Sequence, residues 1–343
     1  MKFEVEKKDL KEKKSRLREV QLEETIHRRR DDTHAQTAPG RSVVTQNIFV
    51  IGGVGQDGEI LRTVEKYIFH GGKRVPLPEM NIPRSFMSSV VVGNEIVVSG
   101  GDTGAEITDT IETLNLGETP LRWKTSSAKL PVPLSGHQTV VYQGRLIAIG
   151  GHNGDEGFNS DKIYEVCLTP PYSTKTLCSM PQPRAGHGAE LIGDEIFIFG
   201  GTRNVSAPNN EVLVYNLVTR EFRVMESLPY AVHGMATVFK LGIVMLLGGI
   251  DQNEEELDQV IAYNPQTGVV YPLPSMKEKR GSCCAVSHQT TGFIVVLGSS
   301  RRNIRSPERY DFRDGTWQDM PPLNNPRERS TMVVSPVIFD FIE

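Results

Sequence analysis

The chain has 343 residues, of which 38% are hydrophobic and 23% charged, with a net charge of −4. This is the profile of a soluble protein, and it lacks the basic excess that draws a chain to nucleic acid. No apolar run approaches the roughly 20 residues of a membrane span, no apolar signal core opens the chain, and four cysteines at this length are no disulfide framework. The sequence therefore reads as cytoplasmic, with no nucleic-acid and no membrane partner and no cofactor.

Residues 1–40 hold 11 Lys/Arg and 9 Asp/Glu, a net of +2, whereas the remaining residues hold 27 and 33, a net of −6. Their composition favours helix, but Leu10, Leu17, Val20, Leu22 and Ile26 form no apolar stripe. We expect a solvated helix or a disordered segment, ending in the linker DDTHAQTAPGR. The arginine run at 28–30 is expected to be solvated charge.

From residue 41 onward one pattern recurs. A short apolar run ends in glycine at NIFVIGG, EIVVSGG, RLIAIGG, EIFIFGG, IVMLLGG and IVVLGSS. The pairs are Gly52–Gly53, Gly100–Gly101, Gly150–Gly151, Gly200–Gly201 and Gly248–Gly249, with Gly298 alone in the sixth copy. The first glycines are spaced by 48, 50, 50, 48 and 50 residues, a repeat architecture with a period of roughly 50. Residues 183–229 show one unit. HGAELI is short and mixed, and GD marks a turn. EIFIF reads as a strand buried on both faces, and NEVLVYNLVT and REFRVMESLP alternate as half-buried strands do. Each repeat is therefore a four-stranded antiparallel sheet, with strands A to D. The double glycine lets strand B end in a sharp exit where neighbouring units crowd together. A phosphate loop would be followed by a helix, and here polar loop and then strand C follow.

The double glycine, Tyr215, Tyr263 and Tyr310 in strand C, and Trp317 in the last strand D resemble the kelch-repeat family over residues 41–343. The resemblance is closest to the propeller part of the BTB–kelch proteins. It implies an all-β, six-bladed propeller, with the chain divided into residues 1–40 and 41–343. PRERSTMVVS near the C-terminus begins like every other repeat and then stops. The strand around Ser330–Ser335 is expected to complete blade 1, so that no open edge is left. The resemblance also implies protein recognition, of the kind in which kelch proteins present substrates to cullin-based ubiquitin ligases. Its alternatives are an isomerase- or epimerase-like enzyme acting on a sugar or small metabolite, and actin binding.

The chemistry-bearing residues give few constellations. His137 and His187 both lie 13 residues before their glycine pairs, and His233 lies 15 before its own. They would bind a metal only if they converged, and the simpler reading is packing in strand A. No Gly-x-Ser-x-Gly elbow is present. Cys283 and Cys284, adjacent in a strand, are expected on opposite faces, and Cys167 and Cys178 are expected to be small hydrophobes. The B–C loops carry acids, namely Asp57 and Glu59, Asp102 and Glu106, Asp155 and Glu156, and DQNEEELD at 251–258. The sixth instead carries Arg301, Arg302 and Arg305, with Arg280 before its strand A and Arg327 and Arg329 before strand A of blade 1. In kelch propellers the B–C and D–A loops share a face. These six arginines are therefore expected to form a site for a protein partner or acidic peptide, which arginine binds bidentately. A second reading holds that arginine in this register ties loops together, because Arg84 and Arg184 both lie 16 residues before their glycine pairs.

Overall fold

The computed structural model describes residues 42–68, 72–154, 159–204, 207–299, 306–336 and 338–341. The charged segment expected over 1–40, with its arginine run, lies outside them. In chain order β1 is Ser42–Thr45, and β2 (Asn47–Ile51), β3 (Val64–Ile68) and β4 (Lys73–Leu77) belong to blade 1. Blade 2 holds β5 (Ser88–Val92), β6 (Glu95–Ser99), β7 (Thr110–Asn115) and β8 (Trp123–Lys129). Blade 3 holds β9 (Gln138–Tyr142), β10 (Arg145–Ile149), β11 (Lys162–Val166) and β12 (Thr174–Ser179). Blade 4 holds β13 (Gly188–Ile192), β14 (Glu195–Phe199), β15 (Val212–Asn216) and β16 (Phe222–Val224). Blade 5 follows, with β17 (Val232–His233), β18 (Ala236–Lys240), β19 (Ile243–Leu247), β20 (Ile250–Asp251), β21 (Val260–Tyr263) and β22 (Val270–Leu273). Blade 6 holds β23 (Cys284–Ser287), β24 (Ile294–Leu297), β25 (Glu308–Asp311) and β26 (Thr316–Asp319), before β27 (Thr331–Val334) and β28 (Ile338–Phe341).

Six sheets of four antiparallel strands result, one per blade. The innermost strands touch around a ring, in the order β27, β5, β9, β13, β18, β23 and back to β27. Closure is as the sequence predicts, because β27 pairs with β2 and supplies strand A of blade 1. A second pairing, β1 with β28, fastens the two ends of the described chain beside that blade. No helix among the described residues is long and apolar enough to cross a membrane.

Strand B runs through the middle of each sheet between two blade neighbours, which explains its unbroken hydrophobicity. In β14, Ile196, Phe197, Ile198 and Phe199 are all buried. Alternate residues serve opposite interfaces: Phe197 and Phe199 pack with Tyr263 of blade 5, while Ile196 and Ile198 pack with Ile147 and Ile149 of blade 3.

The glycine pair is where one blade meets the next. Gly150 has φ +57°, and a Cβ there would stand 2.4 Å from the Arg184 carbonyl of blade 4. Gly151 has φ +99° and donates its N–H to that same carbonyl at 2.7 Å. Backbone angle and backbone contact therefore both demand glycine. Blade 6 carries only Gly298, with φ +98°. The buried Ser299 that follows donates its hydroxyl to the Glu256 carboxylate of blade 5, at 3.0 and 3.1 Å.

Candidate functional site

The D–A and B–C loops open on one face and bridge each other there. Ser85 pairs with Asp102, Ser135 with His152, Ala185 with Thr202, and Glu328 with Val54. Just before each strand A, one residue per blade turns with positive φ: Phe86, Gly136, Gly186, Gly234, Ser282 and Arg329, all between +48° and +62°. Backbone hydrogen bonds link five of them, from Gly234 round to Arg329, along the channel mouth. Phe86 N donates to Arg329 O (3.0 Å), Gly136 N to Phe86 O (2.8 Å), Gly186 N to Gly136 O (2.8 Å), and Gly234 N to Gly186 O (2.7 Å). A cavity of about 390 Å³ opens inside this ring.

Three glycines at these positions are what the backbone asks for. Phe86, Ser282 and Arg329 occupy them against a cost of about 1–2 kcal/mol each, and they fall in three consecutive blades, 6, 1 and 2. Non-glycine residues held in this region mark places where function is to be sought. Here the consequence is visible: the Arg329 guanidinium lies 4.9 Å from the Phe86 ring centroid, a cation–π contact between blades 1 and 2. The Arg329 side chain is 37% exposed, with Nε 3.5 Å from Glu328. Burial pushes the Glu328 carboxyl up.

Arg280 and Arg327 do not belong to this site, which corrects the expectation that they meet a partner. Both are buried. Arg280 bonds the Glu308 carboxylate at 2.9 and 3.0 Å, Ser306 O at 2.9 Å and Gly298 O at 3.3 Å. Arg327 bonds Glu65 at 2.6 Å, Thr63 O at 3.1 Å and Gly52 O at 3.3 Å. Arg84 with Glu112 and Arg184 with Glu211 repeat the arrangement. Each arginine ties the loop before strand A to strands B and C of its own blade. The reading of these arginines as loop ties holds for these four positions. Burial lowers the pKa of Arg84, Arg184 and Arg327, and the paired carboxylates oppose it. Arg301, Arg302 and Arg305 lie outside the described residues, as do Asp155 and Glu156.

His137, His187 and His233 all border the loop-face cavity but are not placed to share a metal. The His137 ring packs against Gly100 of blade 2, with Nε2 3.0 Å from Ser99 Oγ, and the His187 ring packs against Gly150 of blade 3. Each is a wedge between two blades. Burial drives His137 down to about 4 and His187 to about 3, so both imidazoles are neutral at pH 7. Met87 and Met235 fill the same place against Gly52 and Gly200. Among the described residues no three His, Cys, Asp or Glu side chains are placed to hold a metal. The adjacent cysteines do face opposite ways: Cys283 Sγ lies 3.4 Å from Leu247 O of blade 5, and Cys284 Sγ lies 3.8 Å from Ser330 Oγ of blade 1.

A family model for the KLHDC2/KLHL20/DRC7 Kelch-repeats domain matches residues 121–298, more than half of the chain, and a Kelch motif matches 83–118. The chain belongs to the kelch-repeat family. Its kelch propeller is 27% identical over 141 residues to Kelch-like protein 40 of Xenopus laevis, covering 40% of this chain and 23% of that one. It is 28% identical over 111 residues to Kelch-like protein 41a of Danio rerio, covering 32% and 18%. The chain thus spans about a fifth of the length of these curated relatives. Among solved structures, that of YjhT superposes with a TM-score of 0.63 at 16% identity, covering 74% of this chain and 88% of that one, which shows the fold alone.

Within this kelch propeller the residue that sequence reading missed is Phe86. Its signal lies in the repeat: Phe86, Gly136, Gly186 and Gly234 each stand 14 residues before the first glycine of the next pair, so Phe86 occupies a column otherwise filled by glycine.

Proposed function

We propose that this kelch propeller is a protein-recognition module whose loop face takes an acidic peptide segment. The observation that carries the reading is Arg329, presented at the mouth of an open cavity and backed by the Phe86 ring. A guanidinium stacked on an aromatic ring keeps its edge donors free for a carboxylate or phosphate. The sequence adds Arg301, Arg302 and Arg305 between Ser299 and Ser306, outside the described residues. A rigid ring with variable loops suits recognition. Acidic residues exposed on blades 1, 2 and 5, such as Glu59, Glu106 and Glu254, repel a uniformly acidic ligand. They steer an acidic segment toward blades 6 and 1. A substrate-receptor role in a ubiquitin ligase follows by family likeness; among the relatives is an F-box/kelch-repeat protein of Arabidopsis thaliana.

Selection from a randomised peptide library tests the reading, using the native chain, Arg329→Ala, and the triple reversal Arg301→Glu, Arg302→Glu and Arg305→Glu. The expected result is enrichment of Asp-, Glu- or phosphate-bearing sequences by the native chain, lost in both variants. Enrichment of unrelated sequences, or no change in the variants, overturns it.

A further inference from the structure

Below the loop face, midway along the inner strands, lies a second ring of residues. Two residues in from the glycine-proximal end of strand A, the equivalent positions are Val90, Val140, Val238, Val286 and Val333, with Glu190 in blade 4. Five blades place valine there and one places a carboxyl group. Glu190 is half-buried and borders an open cavity of about 310 Å³, whose walls include Val238, Val286, Val333, Phe239 and Met332. The Thr237 hydroxyl and the Phe239 N–H of the neighbouring β18 favour its ionised form.

Four other glutamates show how this chain treats a carboxylate inside the blades. Glu65, Glu112, Glu211 and Glu308 are each paired with an arginine. Glu190 has no such cation among the described residues. Two donors leave a carboxylate with acceptor capacity to spare, and apolar walls raise the cost of leaving its charge uncompensated. A group of this kind in a cavity marks a candidate site. Carboxylate and hydrocarbon together specify a ligand with a cationic head and an apolar tail.

We propose that this middle stretch of the channel binds a small aliphatic amine as its ammonium ion, with the nitrogen on Glu190 and the hydrocarbon against Val238, Val286 and Val333. The site is separate from the loop face and independent of the recognition reading.

The other titratable groups on the surrounding strands are accounted for. Tyr142 donates to Asp194, Glu195 pairs with Arg223, Lys240 Nζ donates to Ser287 Oγ, and the Cys284 thiol is pushed up to about 12. Burial raises the Glu190 carboxyl to about 7. Amine binding should therefore strengthen as pH rises from 5.5 to 8.5, a range in which an alkylammonium stays protonated.

Calorimetric titration of the full chain with n-butylammonium chloride tests this, with 1-butanol as the neutral control. The variants are Glu190→Val, which completes the valine ring, and Glu190→Gln. The expected result is saturable binding at pH 8.5 that weakens about 10-fold or more at pH 5.5, in 1-butanol, and in each variant. No saturable binding by the native chain, or equal binding of 1-butanol, overturns the proposal. So does a flat pH profile of the native chain, which needs no variant to fold, and so does undiminished binding by Glu190→Val.

Discussion

At the scale of single residues, the chain uses two kinds of plug for one place. Four blades put an arginine before strand A and pair it with a glutamate in strand C or just before it; blades 3 and 5 put Leu134 and Val232 there, and both are buried. The ion pair is therefore one solution among two and not a requirement of the fold. A buried pair is weak evidence of net stability, but breaking it strands a charge. Arg84 and Glu112 are both fully buried. Arg84→Met should cost about 3–5 kcal/mol in urea unfolding, and adding Glu112→Leu should cost little more or recover part of the loss. The histidine wedges offer a pH test. Their native pKa values lie below the ordinary 6.5, so below pH 6.5 the unfolded chain takes up protons that the native chain refuses. Stability due to the neutral imidazoles is present above pH 6.5 and is lost as pH falls, by about 1.4 kcal/mol per pH unit for each. Glu190 works in the opposite direction, because its native pKa is raised and its penalty grows as pH rises toward 7. Comparing the native chain with His137→Met/His187→Met cancels Glu190. The methionine variant, which copies the wedges formed by Met87 and Met235, should keep more of its pH 7 stability at pH 5.

At the scale of elements, the glycines separate into two groups by what surrounds them. A Cβ on Gly200 would meet the Val232 carbonyl of blade 5 at 2.4 Å, whereas one on Gly193 in an A–B turn would meet nothing within 4 Å. Both have positive φ. Gly193→Ala should cost only the backbone term, about 1 kcal/mol. Gly200→Ala should cost clearly more, because blade 5 must also move, and denaturant midpoints of the two variants compare them. The strands themselves were legible, since a period near 50, an apolar strand B and alternating strands C and D are local signals. The pairing of β1 with β28 was not. Each is four residues long, and their union depends on where ring closure brings the ends. Side-chain direction was also beyond reach for Arg280 and Arg327. A sequence column shows that arginine recurs there, but whether it points outward or toward Glu308 and Glu65 depends on the loop's turn into strand A.

At the scale of the whole molecule, closure creates one channel with different chemistry at its loop-face mouth and at mid-depth. The loop end carries Arg329 over Phe86 in a run of backbone hydrogen bonds from Gly234 to Arg329, and the middle of the channel carries Glu190 among valines. The ring is held by β27 on β2, so residues from the two extremes of the described chain share blade 1. This places Arg329, late in the sequence, beside Phe86, early in it, a contact with no local signature. The recognition reading predicts where a partner lies. The most direct measurement replaces Phe86 with a photo-crosslinking phenylalanine analogue in the full chain, and compares it with the same analogue at Val218, which is 65% exposed in a C–D turn on the opposite face. With an acidic peptide selected by the native chain, the account predicts crosslinks from position 86, abolished by Arg329→Ala, and none from position 218. Crosslinks from position 218 alone, or from neither, would contradict it.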